Sequence, residues 1–380
     1  MPPSDETPPS AEEFASVFDA YEVRREGERV LYVGESAIPI QQLERELWPL
    51  FRERGYELSV QRGYQRTDGI PISRGEYVLV AEPNSMELDG IPRTNLLLFV
   101  ATIFSTTFAG AYFWYQVPLF EKPWLAVKAW PFVVAILGVL GVHELGHYVM
   151  SRYHNVQASL PYFIPLPTYI GSMGAVIKME GKIPDRKALF DIGAAGPLAG
   201  LAATVVVTAI GLQLDPIPAQ EAAVAQAETG VRFNHPPLLE LIALATGATE
   251  QLEANTIHPV VFGGWVGMLV TLLNMLPVGQ LDGGHILRAM VGKQQERIAA
   301  VVPAVLFGLA AYLLVVADGI DSVGIWTMWG LFAVGLAYAG PADPIDDSEL
   351  GWKRTVLGVL TFVLAALCFT PIPVEIVELA

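Results

Sequence analysis

The chain holds one cysteine in 380 residues, Cys368, and its Asp, Glu, Lys and Arg together make up only 16%. A single thiol excludes an internal disulfide and any cysteine-based metal site. Lysine is absent from residues 1–90, where nine arginines face 18 acidic side chains. That balance repels a phosphate backbone and argues against nucleic acid as a direct partner. The N-terminus, MPPSDETPPSAEEF, lacks the basic and apolar regions of a cleaved signal peptide. Its Pro- and Ser-rich, acidic character reads as a disordered tail over residues 1–14. The chain has no internal repeat and no long apolar run before residue 90.

What the chain has in excess is apolar surface. Hydrophobic residues make up 52%, and the mean hydropathy is +0.42 despite a net charge of −16. Soluble domains of this length seldom reach such a value, so membrane spans are expected. The acidic charge gathers in residues 15–90, which read as a small soluble α+β domain. ERVLYV, GYELSVQRG and EYVLVAE have strand character, and IQQLERELWPLF has apolar residues at helical spacing. From residue 94 seven hydrophobic segments follow, at 94–115, 131–151, 190–212, 259–278, 298–317, 323–340 and 355–372. Each is close to the roughly 20 residues that a bilayer core requires. The sixth and the seventh are the shortest. The expected fold is thus a polytopic all-α membrane bundle with that small N-terminal domain in front of it. Its parts are a transmembrane core at 91–292 and C-terminal transmembrane segments at 293–380.

Loop charges orient the bundle. With the N-terminus in the cytoplasm, the inside loops carry Arg152, Lys178, Lys182, Arg186, Lys187, Arg288, Lys293, Arg297, Lys353 and Arg354. The outside loops carry only Lys122, Lys128 and Arg232. The positive-inside rule therefore predicts a multi-pass protein of the cell membrane with a cytoplasmic N-terminus. The connection 152–189 is too apolar and too rich in Pro and Gly for an ordinary solvated loop, and it reads as re-entrant. Within it the run GAVIKM predicts a strand near Ala175–Met179. Such a strand edge could hold an unwound substrate segment. The connection 213–257 is polar to acidic, with a short helix expected around PPLLELIALATG.

Chemistry concentrates in GVHELGHYV, residues 141–149. On a helix, His143 and His147 project from one face, as two ligands of a zinc ion must. Glu144 follows the first histidine and suits the role of general base, because zinc brings the pKa of a water it carries towards ~7. Ionisable residues inside an apolar span are costly and functional by default. A third ligand is required. The pattern HExxHxxGxxH fails, since Met150 stands where Gly should be and His154 comes one residue late. Glu180, between lysines, reads as a solvated loop residue. Asp282, on a Gly-flanked turn just past the fourth segment, falls at the same membrane depth as the two histidines. Two His and one carboxylate leave a fourth position for water, as a catalytic zinc requires. His285, three residues further on, reads as a neighbour of the site or a solvated turn residue. His154, His235 and His258 read as ordinary polar surface residues. The glycines of GAAGPLAG (193–200) and GGWVG (263–267) suit close helix packing in lipid.

The HELGH at 143–147 and the element with Asn274, Pro277, Leu281, Asp282 and Gly283 resemble the site-2 protease family of intramembrane zinc metalloproteases. GSMGAV (171–176) and RKALFDIGAAGPLAG (186–200) lie between them in the same order as in that family. The likeness covers about residues 94–292 and looks closest to the prokaryotic and plastid branch. With the acidic, lysine-poor surface it points to an archaeal, halophilic source. The resemblance implies one Zn²⁺ per chain held by His143, His147 and Asp282, Glu144 as the catalytic base, and Asn274 polarising the substrate carbonyl. Asn274 stands eight residues before Asp282, a wider spacing than in other members. The implied function is regulated intramembrane proteolysis of single-span membrane proteins in the lipid bilayer. Another membrane zinc peptidase and a metal-ion transporter are the alternatives. Nothing in the sequence sets the oligomeric state or the role of residues 1–90.

Overall fold

A computed structural model of the protein describes residues 7–62, 77–84, 92–179, 181–217, 229–253, 257–317 and 320–378. Glu180 lies outside the described residues. The chain forms two compact units, 1–89 and 90–380.

The first unit is an antiparallel sheet of order β1-β2-β4-β3 (β1 Phe18–Glu26, β2 Arg29–Ser36, β3 Tyr56–Arg62, β4 Tyr77–Pro83). Helix α1 (Ile40–Glu53) joins its two hairpins and packs on β3. The first hairpin turns on Gly27-Glu28, where Gly27 takes φ +63° at the first central position, the place a tight hairpin assigns to glycine. Strand β1 was not expected from the sequence. It is an edge strand with mostly exposed side chains, so it lacks the apolar alternation that identifies strands. The expected tail also ends early. Ala11–Phe14 form a 3₁₀ turn capped reciprocally by Ser10 and Glu13. Phe14 is buried among Phe18, Tyr32 and Phe51, with ring centroids 5.2–6.4 Å apart. The Phe14 ring, the Tyr32 hydroxyl donating to the Pro9 carbonyl (2.6 Å) and the Arg54–Glu13 pair hold this short segment on the core.

The second unit is helical. Helix α2 (Arg93–Ala109) continues as a π turn to Trp114, and α3 spans Trp130–Tyr153. A hairpin of β5 (Tyr162–Pro165) and β6 (Ser172–Val176) precedes α4 (Arg186–Gly211). Strand β7 (Thr229–Phe233), α5 (Pro237–Thr246) and α6 (Pro259–Asn274) follow. Then come α7 (Asp282–Val291), α8 (Val302–Val315), α9 (Ile320–Ala339), α10 (Trp352–Ala366) and β8 (Val374–Glu378), which pairs with β7.

Among the described residues four helices are long and apolar enough to cross a membrane: Arg93–Trp114, Pro123–Tyr153, Arg186–Gly211 and Ile320–Ala339. A fifth arises if the pair Asp282–Ala299 and Val302–Val315, bent by 53°, counts as one span. The sixth expected segment is therefore a full 20-residue helix. The fourth is shorter than expected, a 16-residue helix ending at Asn274. The segment Met275–Leu281 after it is a turn with Gly279 at φ +53°. The fifth begins earlier than expected and is broken.

Helices α3, α4 and α6 form the centre of the bundle. Small residues allow their close approach: a Cβ at Gly146 would lie 2.6 Å from the Ala195 carbonyl oxygen, and one at Gly263 2.6 Å from the Ala135 Cβ. The β5–β6 hairpin is tied to α2. Asn95 Nδ2 donates to the Leu160 carbonyl (2.7 Å), Ser105 Oγ to Gly171 (2.5 Å) and Trp114 Nε1 to Tyr169 (2.9 Å).

Candidate metal centre

Helix α3 carries His143, Glu144 and His147 on its buried face. Asp282 opens α7, so its carboxylate stands at the first turn of that helix. The two histidines are four apart and Asp282 is 139 residues away, yet the three side chains meet. His143 Nε2 lies 3.1 Å from Asp282 Oδ2, and His147 Nε2 3.1 Å from Asp282 Oδ1. The two Nε2 atoms are 3.3 Å apart.

These separations test whether the donors suit zinc. Ligand atoms about 2.0–2.1 Å from a tetrahedral centre are about 3.3 Å from one another. The donor atoms stand close to that edge length without rearrangement. His147 Nδ1 faces the Ile192 carbonyl at 2.8 Å, which makes it the protonated nitrogen and leaves the Nε2 lone pair free for a metal. Two imidazoles and one carboxylate are also the donor set of an open catalytic zinc site.

The sequence-expected residues His143, Glu144, His147, Asn274 and Asp282 all line one cavity of about 190 Å³. Glu144 is buried beside the donors but is not one of the three grouped ligand atoms. The Ile177 backbone amide hydrogen-bonds its carboxylate. Asn274 Nδ2 sits 3.3 Å from His143 Nε2, at the last residue of α6. Strand β6 and its continuation supply a wall through Ala175, Val176, Ile177 and Met179. The expected strand at 175–179 thus starts three residues earlier, at Ser172, with Met179 forming an isolated bridge to Ala158.

His285 takes the first of its two expected readings, a neighbour of the site: it is buried in α7, one turn beyond Asp282, and it lines the cavity. The spacing of three between Asp282 and His285 was the signal for a shared helix face. Two features were missed or read differently from the sequence. The glycines of α4 do more than pack helices. A Cβ at Gly200 would lie 2.8 Å from His143 Nδ1, one at Gly193 3.1 Å from the His285 Cβ, and one at Gly196 would overlap the His147 imidazole. Histidines 154 and 258 are not free surface residues: His154 pairs with Asp191 at 3.0 Å, and His258 caps α6 through the Val260 amide at 3.2 Å. His154, His235 and His258 are not among the residues lining this cavity.

Charged groups brace the ends of these helices. Arg354 grips Asp191 with two bonds of 2.8 Å, tying α10 to α4. Arg288, buried in α7, reaches Asp343 at 2.9 Å and Asp347 at 3.1 Å. Arg186 donates to the Ala289 and Met290 carbonyls at 2.7 and 2.9 Å, satisfying the C-terminal end of the helix that Asp282 begins.

A bundle of long apolar helices around a buried two-histidine, one-carboxylate group with zinc spacing defines a class of membrane proteins with a metal site at their centre. Residues 131–316, just under half of the chain, match the model of peptidase family M50, the family of the site-2 proteases. It is 36% identical over 257 residues to "Probable zinc metalloprotease EGY1, chloroplastic" of Arabidopsis thaliana, covering 66% of this chain and 44% of that protein. The rice (Oryza sativa subsp. japonica) protein of the same title is 35% identical over 258 residues, 66% of this chain and 42% of that protein. The chain therefore spans less than half the length of these two relatives. "Probable zinc metallopeptidase EGY3, chloroplastic" of Arabidopsis thaliana is 25% identical over 374 residues, 93% of this chain and 62% of that protein. Among solved structures, "Site-2 Protease from Methanocaldococcus jannaschii" aligns with 21% identity and a TM-score of 0.30, covering 70% of this chain and 97% of that one.

Proposed function

We propose that this chain is an intramembrane zinc metalloprotease that hydrolyses peptide bonds within or beside transmembrane segments of single-span membrane proteins, as in regulated intramembrane proteolysis. The observation that carries the reading is the meeting of His143, His147 and Asp282 at 3.1–3.3 Å beside a buried Glu144. In this reading His143, His147 and Asp282 hold one Zn²⁺, and Glu144 and Asn274 act on the substrate. Zinc bound there supplies Lewis acidity and makes water nucleophilic at neutral pH. Glu144 takes the proton of the attacking water and delivers it to the leaving amine nitrogen. The Asn274 amide donates a hydrogen bond to the substrate carbonyl and steadies the charge that develops on its oxygen. The Ile177 amide orients Glu144 for both transfers.

Seven crossings follow if α6 and α10 span with α2, α3, α4, the bent α7–α8 pair and α9. With the N-terminus in the cytoplasm, the metal end of the bundle faces inwards. Residues 15–90 are then a soluble cytoplasmic domain, 91–292 the catalytic core and 293–380 the C-terminal membrane segments of a multi-pass cell-membrane protein.

The test is metal removal. Purified protein is expected to cleave a single-span model substrate in detergent, to lose that activity on treatment with a chelator, and to regain it with one equivalent of Zn²⁺. Cleavage that persists without metal sinks the reading. If metal-loaded protein cleaves none of a panel of membrane substrates but carries Zn²⁺ across vesicles, the transporter alternative replaces it.

The outer edge of β6 has no strand partner among the described residues, and β6 runs along the cavity. An unwound substrate strand adding to this edge would bring its amides past Glu144. Val176→Pro is expected to cut cleavage at least ~10-fold with zinc content unchanged, through loss of one ladder bond and a distorted edge. Unaltered cleavage by this variant, with helicity preserved, discards strand addition.

A further inference from the structure

A second cavity, of about 180 Å³, lies at the opposite end of α6 from the metal donors. It is partly open, and its lining includes Trp114 at the end of α2, Phe233 of β7, Phe262 and Trp265 of α6, and Ile257 and His235 from the connecting segments. Twelve residues of helix separate Phe262 from Asn274, a rise of about 18 Å, so this space is distinct from the candidate metal centre.

The walls are aromatic rings packed on one another. Trp114 and Phe262 have ring centroids 4.0 Å apart, Phe233 and Trp265 5.0 Å, and Phe262 and Trp265 lie within 11° of parallel. Phe262 and Trp265 are buried, and each indole N–H is already used: Trp114 donates to the Tyr169 carbonyl and Trp265 to Asn234. His235 is the polar side chain of the lining that remains, and no hydrogen bond to it is found among the described residues. Burial lowers its pKa below the ordinary histidine value, against a smaller opposing effect of Glu240, so the ring is neutral at pH 7. A neutral imidazole offers one donor and one acceptor.

Size and chemistry then restrict the occupant. An apolar cavity of about 150 Å³ takes up benzene, so about 180 Å³ holds one ring with small substituents. No charged residue lines the space, which excludes an ion. We propose that this cavity binds a small, uncharged, single-ring molecule with a hydrogen-bonding oxygen, of the phenol or quinone-headgroup class, its ring against the aromatic and aliphatic lining and its oxygen on His235. Concave, mainly apolar pockets with few polar groups are the general form of small-molecule sites.

The test compares p-cresol with toluene, which differ by the hydroxyl alone, on the full chain in detergent by ligand-observed saturation-transfer NMR. The unaltered protein is expected to bind p-cresol saturably and at least 5-fold more tightly than toluene. His235→Ala, at a half-buried loop position where folding is not at stake, is expected to abolish that preference while toluene binding stays. Ile257→Trp, which fills the cavity, is expected to remove saturable binding of both, with helicity checked by circular dichroism. The proposal is overturned if toluene binds as tightly as p-cresol, if His235→Ala leaves the preference intact, or if a folded Ile257→Trp variant binds as the unaltered protein does.

Discussion

Glu144→Gln is expected to lower peptide hydrolysis by roughly 10²–10⁴-fold while the protein keeps its zinc. The two side chains have nearly the same shape, so the packing of α3 survives the change. Glu144 is not among the three grouped ligand atoms, so the variant keeps all three donors. What glutamine cannot do is accept the proton of the attacking water. Zinc per chain, measured by mass spectrometry beside cleavage of a single-span substrate, separates the possible results. A variant that keeps both zinc and full activity removes Glu144 from the chemistry. One that loses both makes it part of the metal cradle.

Much of this site was readable in advance because its first half is local. HELGH needs only the helical period to put His143 and His147 on one face, and the apolar run around it marks the helix. Asp282 was reachable by a topological argument, two spans running the same way and ending at one depth, and by resemblance. What was not readable is the side of the site that belongs to α4. Gly193, Gly196 and Gly200 look like any small-residue stripe that lets helices approach in lipid. Only the fold shows that these positions face His285, His147 and His143. The backbone partners were equally hidden. The Ile192 carbonyl on His147 and the Ile177 amide on Glu144 carry no side-chain signature at all. The same limit explains β1: a charged edge strand is held by pairing with β2, and pairing leaves no mark on the periodicity of one strand. The broken fifth segment has a related cause, since apolar content alone does not register a bend of 53° between two apolar helices.

The glycine stripe leads to an expected result with an internal control. Gly196→Ala should weaken zinc binding by roughly 10–100-fold or more, in the range seen when groups around metal ligands are disturbed. The added Cβ would overlap the His147 imidazole. That ring cannot swing aside freely, because its Nδ1 is held by the Ile192 carbonyl at 2.8 Å and its Nε2 faces Asp282 at 3.1 Å. Either the ring leaves its position or α3 and α4 separate, and separation is resisted at Gly146, packed against Ala195. Both routes spoil the 3.1–3.3 Å spacing of the donors. Gly138 is also helical, on α3 itself, but a Cβ there meets nothing within 4 Å. Gly138→Ala should therefore keep zinc and activity, and gain about 0.5–1 kcal/mol from the better helix propensity of alanine. Zinc affinity by competition with a fluorescent chelator, with helicity from circular dichroism, reads both variants. Equal zinc affinity in the two would mean that α4 yields around the new methyl, and that the approach of Gly196 to His147 does not hold the metal site together.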